Sequence, residues 1–336
     1  MKCLSVEFTA PGQVSISEDE LPDPAPTQAL VQSLFSAISP GTELLIYRGQ
    51  FPEGLPVDET LASLAGEFHY PLRYGYSAVG RVIAAGAQVE PEWEGRLVFS
   101  FQPHTSHFLA APQDLMALPA DISPEDAVFL ANMETAVNLV MDGAPVIGER
   151  VAVFGQGIVG LLTTALLAQF PLSNLVALDR YPLRRNASLE AGVSACLDAD
   201  APGALEQLCQ LQPGGADLVY EVSGSPKALD RAIAATAYSG RVVIGSWYGK
   251  KQAALDLGGR FHRSRIRLVS SQVSSLAPEL SGRWTKARRI ELAWDMLRRV
   301  RPKSLITHRL PVSEAPKAYR LLDQTPEKAI QIVFKY

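Results

Sequence analysis

The sequence predicts an α/β protein, a doubly wound parallel sheet joined to a second, mainly β unit. Three observations predict it. Between residues 150 and 246, short apolar runs alternate with helical patterns; the first of these runs opens into a glycine-rich turn; and residues 1–115 instead carry short alternating runs divided by Gly and Pro. Strands that alternate with helices form a parallel sheet covered on both faces. Short alternating strands divided by turns form a compact β unit.

Along the first region, KCLSVEF (2–8), QALVQSLFSAI (28–38), SAVGRVIAAG (77–86) and GRLVFSF (95–101) read as strands. Ser123-Pro124-Glu125 then opens a helix, an N-cap followed by proline at the first helical position. Its apolar residues keep helical spacing to Met141, and Gly143 stops it. Val151–Phe154 is a buried-type strand that runs through the glycine turn into an uncharged helix. NLVALDR (174–180) is a strand ending in an acid, ADLVYEVSG (216–224) and GRVVIGS (240–246) are two more buried-type strands, and PKALDRAIAAT (226–236) is the helix between them. The tail from Ser304 to Tyr336 reads as strand, helix, strand. It holds too little core to stand alone and is expected to fold back on the N-terminal unit. The expected domains are therefore 1–122 with 302–336, and 123–301.

Composition narrows the function. Hydrophobic residues make up 47% of the 336, enough for a sizeable core. A formal net charge of −4 argues against a general nucleic-acid or membrane-surface binder. No apolar run reaches the ~20 residues of a membrane span. The opening residues lack the apolar segment of a signal peptide, so a cytoplasmic protein is expected. Cys3, Cys196 and Cys209 lie far apart and suggest neither a disulfide framework nor a zinc knuckle.

Gly155-Gln156-Gly157-Ile158-Val159-Gly160 is a G-x-G-x-x-G turn between a strand and a helix, with Asp179 ending the next strand. In that context it reads as a dinucleotide site. Gly155 makes the tight turn, Gly157 admits a pyrophosphate, and Gly160 lets helix and strand approach. The helix N-terminus offers its N–H groups to phosphates. Asp179 should accept from the ribose hydroxyls and repel a 2′-phosphate, which favours NAD. Arg180, Arg184 and Arg185 follow it and leave NADP open. Arg180, Ser223 and Gly245 are included among the expected cofactor contacts.

Two stretches carry a resemblance. SAISPGTELLIYRG (36–49) and PLRYGYSAVGRV (71–82) resemble segments of the medium-chain dehydrogenase/reductase superfamily. The resemblance implies a GroES-like N-terminal unit and a Rossmann domain, and it extends over the chain's general frame. In the zinc enzymes of that superfamily the matching positions supply metal ligands. Here they are Pro40, Tyr76 and Ala131, with Ser77 in place of a glutamate, and none is a credible zinc ligand. The chain therefore resembles a zinc-free branch, and within it most resembles the group containing bacteriochlorophyllide a dehydrogenase. A homodimer is implied by the same resemblance.

Without a cation, hydrogen-bond donors must stabilise the reacting oxygen. One preorganised donor contributes about 2.7–4 kcal/mol to a transition state, so two suffice only for an activated, conjugated centre. Thr42 matches the hydroxyl that relays the substrate proton in the zinc enzymes. Tyr76 replaces a metal ligand, and its phenol either works at the same spot or fills the hole. To act as a base near neutrality its pKa must fall from about 10. Glu43 is expected to orient Tyr76 or a histidine, or to be a helix-start acid. His104 is the chosen general acid/base; His107, three positions on in an extended segment, points the other way. Glu134 is expected as a cleft acid or a buried cap, and Thr135 as a contact to the cofactor ring. Residues 260–303 hold twelve of the 31 basic residues against three acids. Within them His262, Arg263, Trp284 and Arg288 are expected to bind an anionic, ring-bearing substrate; a solvated face is the other reading. The expected function is an NAD(H)-dependent, zinc-independent oxidation of a secondary alcohol. The alternative is an NADPH-dependent reductase of a conjugated double bond, and a non-catalytic nucleotide binder is a third reading.

Overall fold

The computed structural model describes residues 1–52, 54, 56–57 and 62–336. The chain divides into two compact units, Met1–Ala131 with Leu297–Tyr336, and Asn132–Met296. The first break lies later than residue 122 because the Ser123 helix belongs to the first unit. Ser77 Oγ donates to the Val128 carbonyl, and Asp126 Oδ1 accepts the Lys303 N–H at 3.0 Å.

The first unit begins with the hairpin β1 (Lys2–Ala10) and β2 (Gln13–Glu20). β2 is not among the expected strands: its sequence QVSISEDE is polar, and only Val14 and Ile16 lean on the core. Then come β3 (Ala29–Ala37), α1 (Pro40–Tyr47), β4 (Ala78–Ala85), β5 (Leu97–Ser100), β6 (His107–Ala110) and β7 (Met116–Ala117). The expected single helix over 123–143 is two helices, α2 (Pro124–Ala127) and α3 (Leu130–Gly143). Ser123 caps α2, its Oγ accepting the Asp126 N–H at 3.2 Å.

The second unit runs β8 (Arg150–Phe154), α4 (Ile158–Leu167), β9 (Asn174–Asp179), α5 (Pro182–Glu190), β10 (Ala195–Asp198), α6 (Ala204–Leu211), β11 (Ala216–Glu221), α7 (Pro226–Ala235), β12 (Thr236–Ile244) and β13 (Arg267–Ser270). All six strands are parallel, in the order β10-β9-β8-β11-β12-β13. Ala152, Val176, Val219 and Val242 are fully buried at its centre, as expected of strands covered on both faces. The strand order reverses between β8 and β11, and such a switch point opens a crevice beyond the carboxyl ends of the strands. α8 (Lys286–Val300) leads out of this unit.

The tail returns as β14 (Ile306–Pro311), α9 (Ala315–Gln324) and β15 (Gln331–Lys335). β15 lies parallel to β14 and antiparallel to β3, with Val333 opposite Ala37. The sheet of the first unit thus reads β14-β15-β3-β4-β5-β7, with β6 also on β3. Phe8, Ile38, Ile46, Tyr319 and Phe334 form its core, Tyr319 meeting Phe8 edge-on at 5.0 Å.

Candidate active site

Pro40 suits the first position of α1, because a helix leaves that N–H unpaired in any case. Ser39 is the N-cap, yet its side chain makes no cap hydrogen bond. Instead Ser39 Oγ accepts the Tyr76 hydroxyl. Thr42 Oγ1, on the first turn of α1, lies 3.3 Å from the same phenol oxygen. Three hydroxyls therefore meet where the sequence placed two; Ser39 was not among the expected site residues.

Beneath them lies a buried polar network. Glu43 Oε1 accepts the Ser39 N–H at 2.7 Å, and its Oε2 accepts the Tyr319 hydroxyl and lies 3.0 Å from His104 Nε2. His104 Nδ1 is 2.7 Å from Ser36 Oγ, which is 2.7 Å from the Tyr336 hydroxyl. Burial and the Glu43 charge push the Tyr319 phenol well above its ordinary pKa. Both Glu43 and His104 are 0% exposed. This corrects the choice of His104 as general acid/base: both ring nitrogens are engaged and the ring has no open side. His104 braces Glu43. Gly75, at φ +129°, permits the close approach, since a Cβ there would stand 3.0 Å from the His104 ring. Glu43 is both the helix-start acid and the partner of a histidine.

In the second unit the glycine turn separates three roles. A Cβ on Gly155, whose φ is +96°, would lie 2.5 Å from Ser223 Cα, and one on Gly160 would lie 2.0 Å from the Gly155 carbonyl. A Cβ on Gly157 would meet nothing within 4 Å. Gly155 and Gly160 are thus fixed by packing, whereas Gly157 borders open space at the N-terminus of α4. No side chain caps that helix, and Ile158 and Val159 form its first turn. The Gln156 N–H donates to Asp179 Oδ2 at 2.7 Å and the Tyr181 N–H to Asp179 Oδ1 at 2.9 Å. A carboxylate has about four acceptor positions, so two remain for a ligand. The Gln156 side chain is buried, its Oε1 accepting from Thr164 and Ser188, each at 3.0 Å. Arg180, expected at the cofactor, is held by Asp200 at 2.9 and 2.7 Å, and Arg185 pairs with Asp198 at 3.1 Å. Arg184 stacks on Tyr181.

The neighbouring strand ends are equally ordered. Ser223 donates to Glu221 Oε1 through its N–H at 2.9 Å and through its hydroxyl. A Cβ on Gly245 would lie 2.6 Å from Leu139 Cδ2, so that glycine is set by packing against α3. Gly157→Ala should melt within a degree or two of the parent yet lose about tenfold in NAD affinity by calorimetric titration, because only the ligand's space is filled. Gly160→Ala should lower the melting temperature itself.

The remaining expected residues separate. Glu134 Oε1 accepts from Arg289 Nε at 3.1 Å and Nη2 at 2.8 Å. Arg289, 1% exposed, also donates to Asn138 Oδ1 at 2.5 Å and to the carbonyls of Ser275 and Val273. Burial raises the Glu134 carboxyl above its ordinary pKa, against the pull of Arg289. This corrects the reading of Glu134 as a cleft acid: its carboxylate is tied into a clamp that fixes the segment after β13 to α3. Thr135, beside it on α3, is half-buried. His262 and Arg263 are exposed and precede β13. The Ser264 carbonyl accepts the Ser239 N–H at 2.7 Å, and Arg260 Nε donates to the Thr236 carbonyl at 2.7 Å. His262 and Arg263 therefore lie at the amino edge of the sheet, and the glycine turn at the carboxyl edge, which corrects the expectation that they bind the substrate. Trp284 and Arg288 follow β13, with the guanidinium 4.0 Å from the ring centroid.

Residues 159–290 match the family model of zinc-binding dehydrogenases. The D-guloside 3-dehydrogenase of Escherichia coli K12 is 24% identical over 346 aligned positions, covering 96% of this chain and 97% of that one. The crystal structure of 2R,3R-butanediol dehydrogenase from Bacillus subtilis shares the fold with a TM-score of 0.80 at 18% identity, covering 99% of each chain. Galactitol-1-phosphate dehydrogenase from Escherichia coli gives 0.78 at 16%, covering 99% of this chain and 100% of that one. The chain is thus similar to dehydrogenases over almost its whole length, and to the zinc-binding family over residues 159–290. Zinc is the group that the matched family's description implies, and the side chains at Pro40, Tyr76 and Ala131 do not fit it. Pro40 has no donor atom, the Tyr76 oxygen is bonded to Ser39, and among the described residues no three His, Cys, Asp or Glu side chains are grouped to hold a metal ion. The family match does not extend to Pro40 or Tyr76.

Proposed function

We propose that this NAD(P)-dependent oxidoreductase moves a hydride between NAD(H) and a secondary alcohol or its ketone, and does so without zinc. The observation that carries the reading is the meeting of the Ser39, Thr42 and Tyr76 hydroxyls, Tyr76 standing where the resemblance places a metal ligand. The dinucleotide is held by residues 155–160, Asp179, Ser223 and Gly245, with Thr135 toward its ring. When bound, its nicotinamide supplies or accepts the hydride. Tyr76 and Thr42 hold the substrate oxygen and its proton. Each donor is worth about 2.7–4 kcal/mol in a transition state, and two approach what a cation supplies for a centre already activated by conjugation.

Relatives named for guloside, threonine and butanediol support a secondary alcohol as the reacting group. The Trp284–Arg288 stack supports a ring-bearing anionic substrate, since a guanidinium suits carboxylate or phosphate. Turnover of neutral analogues at the rate of charged ones would remove that part. By resemblance to the superfamily a homodimer is proposed, and a cytoplasmic location is proposed from the sequence pattern. Among the described residues no helix is long and apolar enough to cross a membrane.

NAD is preferred over NADP because Asp179 disfavours a 2′-phosphate and Asp200 and Asp198 already neutralise Arg180 and Arg185. Calorimetric titration is expected to give NAD at least tenfold tighter binding than NADP. The reverse preference would favour the second reading, a reductase of conjugated double bonds, which the absence of zinc ligands at positions 40, 76 and 131 also suits.

A further inference from the structure

We infer that Ser39 is a positioning residue for the Tyr76 phenol, the link through which the buried Glu43 carboxylate fixes the reactive hydroxyls. The inference rests on the reading of Tyr76 given above and adds to it a residue outside the sequence expectation.

A serine at a helix N-cap ordinarily accepts an N–H from the first turn. Ser39 has the extended backbone of an N-cap, φ −98° and ψ 92°, and makes no such bond. Its hydroxyl is turned to Tyr76 instead. Its own backbone is fixed from the other side, where Glu43 Oε1 holds the Ser39 N–H at 2.7 Å. Glu43 has no freedom to follow a moving partner, because His104 and Tyr319 hold its second oxygen and the carboxylate is fully buried. The chain of contacts therefore runs from a rigid acid, through one backbone N–H and one hydroxyl, to the phenol.

Thr42 alone would not fix it, since at 3.3 Å its contact is the looser of the two. The Tyr76 ring meets Tyr74 edge-on at 6.0 Å, a contact to the ring rather than to the hydroxyl. Held through Ser39, the phenol oxygen has a fixed place from which to meet a substrate hydroxyl. Placement within about 0.5 Å is what such sites require, and the Glu43–Ser39 pair supplies a fixed reference for it.

The test uses the full-length protein labelled with 3-fluorotyrosine, in which the Tyr76 fluorine resonance is identified by its loss in Tyr76→Phe. Ser39→Ala should move that resonance, and Ser39→Thr, which keeps a hydroxyl, should restore it toward the parent position. NADH formation from racemic 2,3-butanediol, L-threonine, galactitol and methyl guloside is measured in parallel. On any of these that turns over, Ser39→Ala should lower kcat about tenfold with KM within twofold. In the Tyr76→Phe background Ser39→Ala should cause no further loss, which a merely structural role would not predict. An unmoved resonance in Ser39→Ala, or an undiminished further loss in the Tyr76→Phe background, overturns the inference. If Tyr76→Phe alone leaves kcat unchanged, the catalytic reading of Tyr76 falls, and the fluorine shift still decides whether Ser39 holds the phenol.

Discussion

Replacing Tyr76 by Phe and Thr42 by Ala together is expected to lower kcat by about 10²–10³-fold or more while NAD binding stays within twofold. Removal of one preorganised donor costs about 2.7–4 kcal/mol of transition-state stabilisation. The two hydroxyls share one locus, their oxygens 3.3 Å apart, so their single losses should not simply add. Phe keeps the aromatic contact to Tyr74, and Ala is tolerated in the first turn of α1, so the fold should survive. A parent-like kcat in the double variant would reduce Tyr76 to a filler of vacant space. A loss confined to KM would make the pair a substrate-binding element instead.

Arg289→Leu is expected to destabilise the second unit by about 3–5 kcal/mol, the usual result of leaving one partner of a buried ion pair alone. The five N–H groups of Arg289 serve Glu134, Asn138 and the carbonyls of Val273 and Ser275. Without them Glu134 stays buried and uncompensated, so its already raised pKa rises further. A carboxyl whose folded-state pKa exceeds its unfolded one stabilises the fold while protonated, and that contribution disappears as pH rises through the folded value. The deficit should therefore grow between pH 5 and pH 8 in urea unfolding. Adding Glu134→Leu should recover most of it. A deficit independent of pH, or no recovery in the double variant, would show that the pair is not the source.

The parallel sheet was legible because its strands are apolar on both faces and its glycines sit at fixed offsets from Asp179. β2 was not, because half of it is acidic and it depends on Val14 and Ile16 touching a core built from distant residues. At the site, Thr42 and Tyr76 were legible through resemblance to segments that carry a metal in relatives. The burial of His104 was not, since its partners Ser36, Glu43 and Phe334 are 61 or more residues away. Glu134 looked like a cleft acid because nothing local announces Arg289, 155 positions later. His262 and Arg263 were misplaced for a different reason: charge density locates a surface, and only strand direction tells which edge of a sheet it occupies.

The last strand, β15, lies inside its sheet, between the edge strand β14 and β3. While the chain is being made on a ribosome, the second unit has every strand in hand once residue 296 has emerged, whereas the first unit waits with the Phe35–Ala37 end of β3 unpaired on one side until residues 331–335 arrive. An unpaired strand edge is a template for wrong partners. Synthesis therefore passes through a window in which the hydroxyl-bearing unit is sticky and its neighbour is not, and a premature stop codon near the end should yield aggregates from which the nucleotide-binding unit can still be cut as a folded fragment.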